Sequence, residues 1–340
     1  MLFRRICAVD LGTDSLKISD KNEKKHLCEK NMLALRNQKN VIAIGRAAYE
    51  IYEKAPTNVS IARPMQDGAI ADVKNQETVL KQQLKKFAGI FTGYPDLLFA
   101  VPLDATELEK IAYFQLLTSK LHAKRIALIE NTIADSIGIG LPVLHANGNM
   151  LVNIGAATTD ISVIAERKVI IGRRIMNGGN QIDMDIVGMV RRKYNLNIGE
   201  KTAEFLKNNL AYIGEHTSKK ATVFGIHAVT GLPISIEVYS EDINECLGDT
   251  LQTIGEAIRG TIERTPPQLV ADIQQKGIYL TGGVSQLLGM TDFVTKMTGI
   301  HAMCANEPIM STTRGLVQII NSPELRKLTF SIKDFTGITL

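Results

Sequence analysis

A strand, a short loop of small and hydroxyl residues, and a second strand occur twice in this chain. No other feature restricts the possible folds as much. The first copy runs through Arg5–Val9, the loop Asp10-Leu-Gly-Thr-Asp14 and Ser15–Ser19. The second runs through Met150–Asn153, the loop Ile154-Gly-Ala-Ala-Thr-Thr159 and Asp160–Ala165. Apolar runs of this length, bounded by turn residues, read as strands joined in hairpins. A supersecondary unit that recurs argues for two related domains. Helix and strand patterns alternate between and after the copies, which makes both domains α/β. The 340 residues suit two domains at roughly 100–200 residues each.

The spacing predicts helices over Asn75–Phe87, Ala105–Leu121, Asn131–Ile137, Gln181–Tyr194 and Thr202–Tyr212, and one long helix over Asp242–Arg264 that stops at Pro266–Pro267. Glu107 and Glu109 place negative charge in the first turn of the second of these, where the helix dipole favours it. Leu97–Val101, Ile126–Ile129 and Ile278–Leu280 read as strands, and Ala221–His227 with Ile234–Tyr239 as a hairpin over Thr230-Gly-Leu-Pro233. The strand Ile278–Leu280 feeds Thr281-Gly-Gly283 and a helix from about Ser285, and nothing is expected to fold after about Glu324.

Several function classes are disfavoured. The net charge is only +4, and the basic clusters Arg4–Arg5, Lys21–Lys25 and Arg191–Lys193 are short enough to be solvated faces. No RNA-binding signature or basic stripe appears, so no nucleic-acid partner is expected. The four cysteines form no CxxC pair, which points away from zinc and thiol redox chemistry. No apolar run reaches the ~18 residues of a spanning helix, and the opening segment is too short for a signal peptide. A cytoplasmic protein is expected.

Three loops carry the candidate chemistry. Loops of small residues expose backbone N–H groups that cradle phosphate oxygens. Asp10 could hold the water shell of Mg²⁺, and Gly12, Thr13, Asp14 and Ser15 surround it. In the second loop Asn153, Gly155, Ala156, Ala157, Thr158 and Thr159 are the counterparts. Gly282, Gly283 and Val284 allow a ligand close to the backbone and aim a helix N-terminus at it. The chain has no Walker A pattern, which excludes P-loop chemistry.

In this order the loops resemble the actin, sugar-kinase and heat-shock chaperone superfamily: Ala8-Val-Asp-Leu-Gly-Thr13 and Leu151-Val-Asn-Ile-Gly-Ala-Ala-Thr-Thr-Asp160 as its phosphate motifs, Ile278-Tyr-Leu-Thr-Gly-Gly283 as its adenosine motif. Within it the chain resembles the MreB family, through Arg63-Pro-Met-Gln-Asp-Gly-Ala-Ile-Ala-Asp72, Ile129-Glu-Asn-Thr-Ile-Ala-Asp-Ser-Ile-Gly138, Gly140-Leu-Pro-Val143, Ile198-Gly-Glu-Lys-Thr-Ala-Glu204 and Glu263-Arg-Thr-Pro-Pro267. The resemblance implies an actin-like ATPase fold of two related domains and four subdomains around a nucleotide cleft that holds ATP and Mg²⁺. By this likeness domain I covers 1–142 with a subdomain at about 31–65, domain II covers 143–309 with a subdomain at about 177–245, and 310–340 returns to domain I. Glu204 and Lys207, three apart on one helix, would flank the adenosine, although a surface ion pair fits the same spacing. The resemblance further implies filaments of the chain itself at the inner face of the cytoplasmic membrane, working with the cell-wall elongation machinery in shape determination. A small-molecule kinase and a non-hydrolysing scaffold are the alternatives.

Two departures from the family fall on catalytic positions. Asn131, after Glu130, stands where a carboxylate usually orients the attacking water, and Asn153 stands where the second loop usually begins with Asp. Ala156 and Ala157 replace glycines there. Phosphoryl transfer depends on positioning and electrostatics, so the ATPase activity is in question while binding is not. Phe87, Ile90 and Phe91 lie in or beside a glycine-punctuated segment after Lys85–Lys86, and the resemblance makes this a membrane-inserting loop, with Met1–Arg5 as a second weak anchor. A phosphate-release assay tests the departures: turnover should fall well below that of a carboxylate-bearing relative, and an equal rate would refute the expectation.

Overall fold

The computed structural model describes residues 6–88, 96–117, 125–215, 217–331 and 334. The chain divides into two compact units. Unit 1 comprises Met1–Asn147, Ile164–Gly172 and Ile309–Leu340, and unit 2 comprises Gly148–Val163 and Arg173–Pro308.

Unit 1 is built on a five-stranded sheet in the order Ile126–Glu130, Asp96–Val101, Ile6–Leu11, Ser15–Asp20, His26–Lys30. Ile6–Leu11 pairs antiparallel with Ser15–Asp20 and parallel with Asp96–Val101. All six residues of Asp96–Val101 are buried, as expected of a parallel strand covered on both faces. Val79, Leu80, Leu84 and Phe87 of the helix Val73–Ala88 join Tyr113 and Phe114 of Glu107–Gln115 in one core with Val9, Leu16, Ile18 and Phe99. A three-stranded sheet, Asn40–Ile44, Leu33–Arg36 and Val59–Ala62, packs with the helix Arg46–Ile51 through Met32, Ala34 and Ala48.

The helices Asn131–Gly138 and Ser311–Asn321 of unit 1 meet backbone to backbone. A Cβ on Gly315 would lie 1.6 Å from the Ala134 carbonyl oxygen, and one on Gly138 would lie 1.8 Å from that of Ser311. Only glycine permits this approach, and it leaves no gap for a side chain to relax into.

Unit 2 repeats the sheet plan. The second five-stranded sheet runs Lys168–Ile175, Thr159–Ala165, Asn149–Ile154, Ile278–Thr281, Ala302–Cys304, with Ile164–Gly172 of its first two strands counted in unit 1. As in unit 1, three strands consecutive in sequence are followed by two that add on the far side of the first, here parallel to one another. A second sheet joins Leu196–Asn197, Lys220–His227 and Pro233–Tyr239.

The long helix expected over Asp242–Arg264 is two helices, Ser240–Cys246 and Gly248–Glu263. Leu247 is fully buried at the break, and Gly248 follows it, a residue that gives up about 1 kcal/mol of helix preference to alanine. The helix expected from Ser285 begins at Met290 instead, after a 3-10 turn Val284–Gln286. Gly289 separates them with φ +83, and a Cβ there would fall 2.0 Å from the Ile213 carbonyl oxygen. The helix Glu200–Leu210 stops short of Tyr212, which bridges to Leu288. The helix expected over Ala105–Leu121 is regular over Glu107–Gln115, and 118–121 lie outside the described residues. Beyond Glu324 a 3-10 turn Leu325–Leu328 forms and Phe330 pairs with Leu128, against the expectation of no further structure.

Gly315→Ala should cost unit 1 roughly 3 kcal/mol, the upper range for overpacking, because backbone rather than a flexible side chain must yield. Denaturant unfolding followed by circular dichroism measures this, and an unchanged midpoint would contradict the contact.

Candidate functional site

Both hairpin loops close in the same way. In unit 1 the Gly12 N–H donates to the Ser15 carbonyl at 3.0 Å, and in unit 2 the Gly155 N–H donates to the Thr158 carbonyl at 2.9 Å. Each bond turns the chain in four residues and ends the preceding strand beside the turn.

In unit 1 the loop is held from several sides. Buried Asn31 donates through Nδ2 to the Gly12 carbonyl at 3.0 Å and through its backbone N–H to the Asp14 carbonyl at 2.8 Å. Its amide also exchanges hydrogen bonds with Gln76. The Gly68 N–H donates to Thr13 Oγ1 at 3.1 Å. Asp10 accepts from Lys17 Nζ at 2.9 Å and Asp14 from Lys30 Nζ at 2.6 Å. Burial pulls the Lys17 pKa down, but the charge and hydrogen bond of Asp10, with Cys28 and Asp135 adding to them, hold it above the ordinary lysine value. A raised folded-state value means that this stabilisation is complete below the ordinary lysine pKa and is lost as pH rises through the raised one.

Glu130 ends its strand and precedes the helix Asn131–Gly138. Burial lifts its carboxyl above the ordinary range, against the opposing charge of Lys110 at 3.8 Å. Asn131 Oδ1 accepts from the backbone N–H of the next residue, Thr132, at 2.8 Å. Asp135, one turn on, is fully buried.

In unit 2 four segments converge. The N-terminus of the helix Gly179–Tyr194 meets the second loop: the Gly179 N–H donates to the Gly155 carbonyl at 3.0 Å and the Asn180 N–H to the Ala156 carbonyl at 2.7 Å. A Cβ on Gly178 would lie 2.7 and 2.9 Å from those two carbonyl oxygens. Thr159 Oγ1 donates to the Asn177 carbonyl at 2.7 Å. Arg174 grips Asp160 with Nε at 2.6 Å and Nη2 at 2.8 Å, in a nearly fully buried fork. That geometry is the strong, bidentate form of an ion pair.

Lys207, on the helix Glu200–Leu210, reaches Asp183 at 2.8 Å and the Gly179 carbonyl at 3.1 Å. Glu204 lies half-buried on the same helix. Gly282 adopts φ +83, and a Cβ there would stand 2.3 Å from the Ile154 carbonyl oxygen and 2.7 Å from Asn153 Oδ1. A Cβ on Gly179 would meet Val284 Cγ2 at 3.2 Å. Gly155, Ala156, Lys207, Gly282 and Val284 are thus gathered with Asn153. Ala157 and Thr158 form the half-buried outer side of the loop, and Gly283 faces open space.

Gly178, Gly179, Asp183 and Arg174 belong to this constellation and were not singled out from the sequence. The glycine pair in Asn177-Gly-Gly-Asn180, directly before a helix, is the signal that could have found the first two. Asp183 and Arg174 have no local signal, since their partners lie 24 and 14 residues away.

Phe87 corrects the membrane expectation. It sits at the end of the helix Val73–Ala88, 5% exposed in the core of unit 1, with the Lys25 ammonium 5.0 Å from its ring centroid. A ring already packed on the protein cannot also enter a bilayer. Ile90 and Phe91 lie outside the described residues. Among the described residues no helix is long and apolar enough to cross a membrane.

Gly178→Ala keeps an extended backbone that alanine tolerates but pushes a methyl group into the loop carbonyls. Nucleotide affinity should fall about tenfold, equivalent to ~1.4 kcal/mol. Calorimetric titration reads this directly, and an unaltered Kd would exclude the loop from the binding site.

The comparisons with known proteins agree. The family model for the MreB/Mbl protein matches residues 4–327. The chain is 32% identical over 335 residues to the cell shape-determining protein Mbl of Bacillus subtilis, covering 97% of this chain and 100% of the relative. It is 33% identical over 323 residues to the cell shape-determining protein MreB of Escherichia coli, covering 92% of each. The crystal structure of MreB 5 of Spiroplasma citri bound to AMPPNP superposes with a TM-score of 0.89 at 26% identity, over 96% of this chain and 98% of that one. A MamK double helical filament shares the fold with a TM-score of 0.78 at 19% identity, over 94% of this chain and 99% of that one. With the repeated five-stranded sheets and paired glycine loops, these matches place the chain in the MreB/Mbl family of actin-like cell shape-determining proteins.

Proposed function

We propose that this chain binds ATP through the two hairpin loops and the Gly282 segment, and assembles into filaments that take part in cell-shape determination and cell-wall organisation. The observation that carries this reading is the convergence in unit 2. The second loop, the Gly178–Gly179 helix start and the Gly282 turn meet backbone to backbone beside Asn153, and Lys207 reaches the same helix start. Small-residue loops of this kind offer backbone N–H groups to phosphate oxygens, and Gly283, where a Cβ would meet nothing within 4 Å, leaves room beside them. A structural relative of the same family, MreB5 of Spiroplasma citri, is bound to AMPPNP in one crystal structure and to ADP in another.

The residues have separate roles in this reading. The N–H groups and hydroxyls of Thr13–Ser15 and Ala156–Thr158 hold phosphate oxygens, while the bonds of Gly12, Gly155 and Thr159 keep the loops in shape. Glu204 and Lys207 border the adenosine, with Asp183 fixing Lys207. Asn131 orients water through its amide but cannot accept a proton as a carboxylate would, so hydrolysis is slow. Glu130, with its raised pKa, is the neighbouring carboxyl. In this reading the filaments meet the inner membrane surface through the segment that includes Ile90 and Phe91.

Magnesium is the part of the family expectation that these residues fit poorly. When bound, the ion neutralises phosphate charge and orders water around it. Asp10 already accepts from Lys17, and the second loop begins with the neutral Asn153. A non-hydrolysing, nucleotide-bound scaffold is the second reading, favoured by the same two asparagines.

Ultracentrifugation of the full chain with ATP, with ADP and without nucleotide tests the proposal, with an anionic-vesicle arm read by flotation. ATP should drive the chain into the pellet, and vesicles should carry it upward. A chain that stays in the supernatant under every condition is not a polymer.

A further inference from the structure

The first loop bears two carboxylates, and each is matched by a lysine of the same sheet. The pairs differ in kind. Lys30–Asp14 is partly open to solvent, with side chains 21% and 42% exposed, and such pairs are weak and easily exchanged. Lys17–Asp10 is enclosed, with side chains 10% and 14% exposed.

The backbone fixes where this second ammonium stands. Lys17 lies directly opposite Asp10 in the antiparallel register of Ile6–Leu11 and Ser15–Asp20. Facing side chains in such a pair are held within contact distance by the ladder itself. The fully buried carboxylate of Asp135 adds its field from the helix Asn131–Gly138 and favours the charged lysine. A divalent ion seeking Asp10 therefore competes with a cation that is tethered and has no translational freedom to lose.

We propose that Lys17 supplies the positive charge at the phosphate loop, so that this chain binds nucleoside di- and triphosphates with little dependence on magnesium. The inference rests on the reading of the first loop as part of the nucleotide site, and it makes Lys17 a specificity-determining residue for the metal-free nucleotide.

Calorimetric titration of ADP into the full chain, in magnesium buffer and in excess EDTA, tests it with the wild type, Lys17→Met and Lys17→Arg. The wild-type Kd should change by less than about threefold on chelation, and Lys17→Arg should behave likewise. Lys17→Met should bind at least about tenfold more weakly in EDTA and regain most of that affinity with magnesium. A wild-type Kd that rises more than about tenfold in EDTA overturns the proposal, as does a Met variant with the wild-type ratio between the two buffers. Wild-type binding in neither buffer would refute the nucleotide reading itself, a result distinct from magnesium-dependent binding. Should Lys17→Met melt early, because Asp10 and Asp135 lose their counter-charge, the wild-type chelation arm still decides.

Discussion

Two backbone hydrogen bonds set the geometry on which the candidate site depends: Gly12 N–H to Ser15 carbonyl, and Gly155 N–H to Thr158 carbonyl. Each turns a strand back on itself within four residues and leaves the second-last residue of the strand, Asp10 or Asn153, beside the turn. In unit 2 the same loop is pinned again, by the helix start at Gly179 and Asn180 and by the buried Arg174–Asp160 fork. A phosphate-binding loop needs this stiffness, because donors already in place pay no ordering cost when the ligand arrives.

Charge is arranged differently in the two copies. The first loop has carboxylates balanced by lysines on adjacent strands. The second has a neutral amide where the family expectation puts an acid, and its lysine, Lys207, is anchored to Asp183 and to the helix that abuts the loop. The sheet plan is duplicated while the electrostatics are not. The backbone frame follows from strand order and glycine placement, and the charges can vary on top of it without disturbing that frame.

The hairpins, the central strands and most helices were legible in the sequence, since alternation and helical periodicity are local properties. The edge strand Lys168–Ile175 was missed because none of its residues is fully buried and Gly172-Arg-Arg174 interrupts its apolar run. The strand Ala302–Cys304 is too short to show a pattern. The helix Ser311–Asn321 buries Leu316, Val317, Ile319 and Ile320 only in its second half, and its first half, Ser311-Thr-Thr-Arg-Gly315, has no apolar pattern because Gly315 meets the Ala134 carbonyl directly. The break at Leu247 and the late start at Met290 were invisible for a related reason: glycine permits both continuation and interruption, and only the packing of Leu247 and the Ile213 carbonyl selects interruption. Phe87 was misjudged because the following glycines suggested a loop, whereas the ring belongs to the last turn of a helix and its core.

The sequence by itself determined the class of fold, the two-fold repetition and the loops that carry the candidate chemistry, because strand–loop–strand patterns and small-residue turns are written in neighbouring positions. Tertiary structure decided which side chains those loops meet. Lys17 faces Asp10 through strand register, Lys207 reaches Asp183 across two helices, and Gly178 abuts Gly155 and Ala156 at the end of a separate helix. Each of these pairings is between residues brought together by sheet register or helix packing, and such contacts follow only once the backbone has chosen its neighbours.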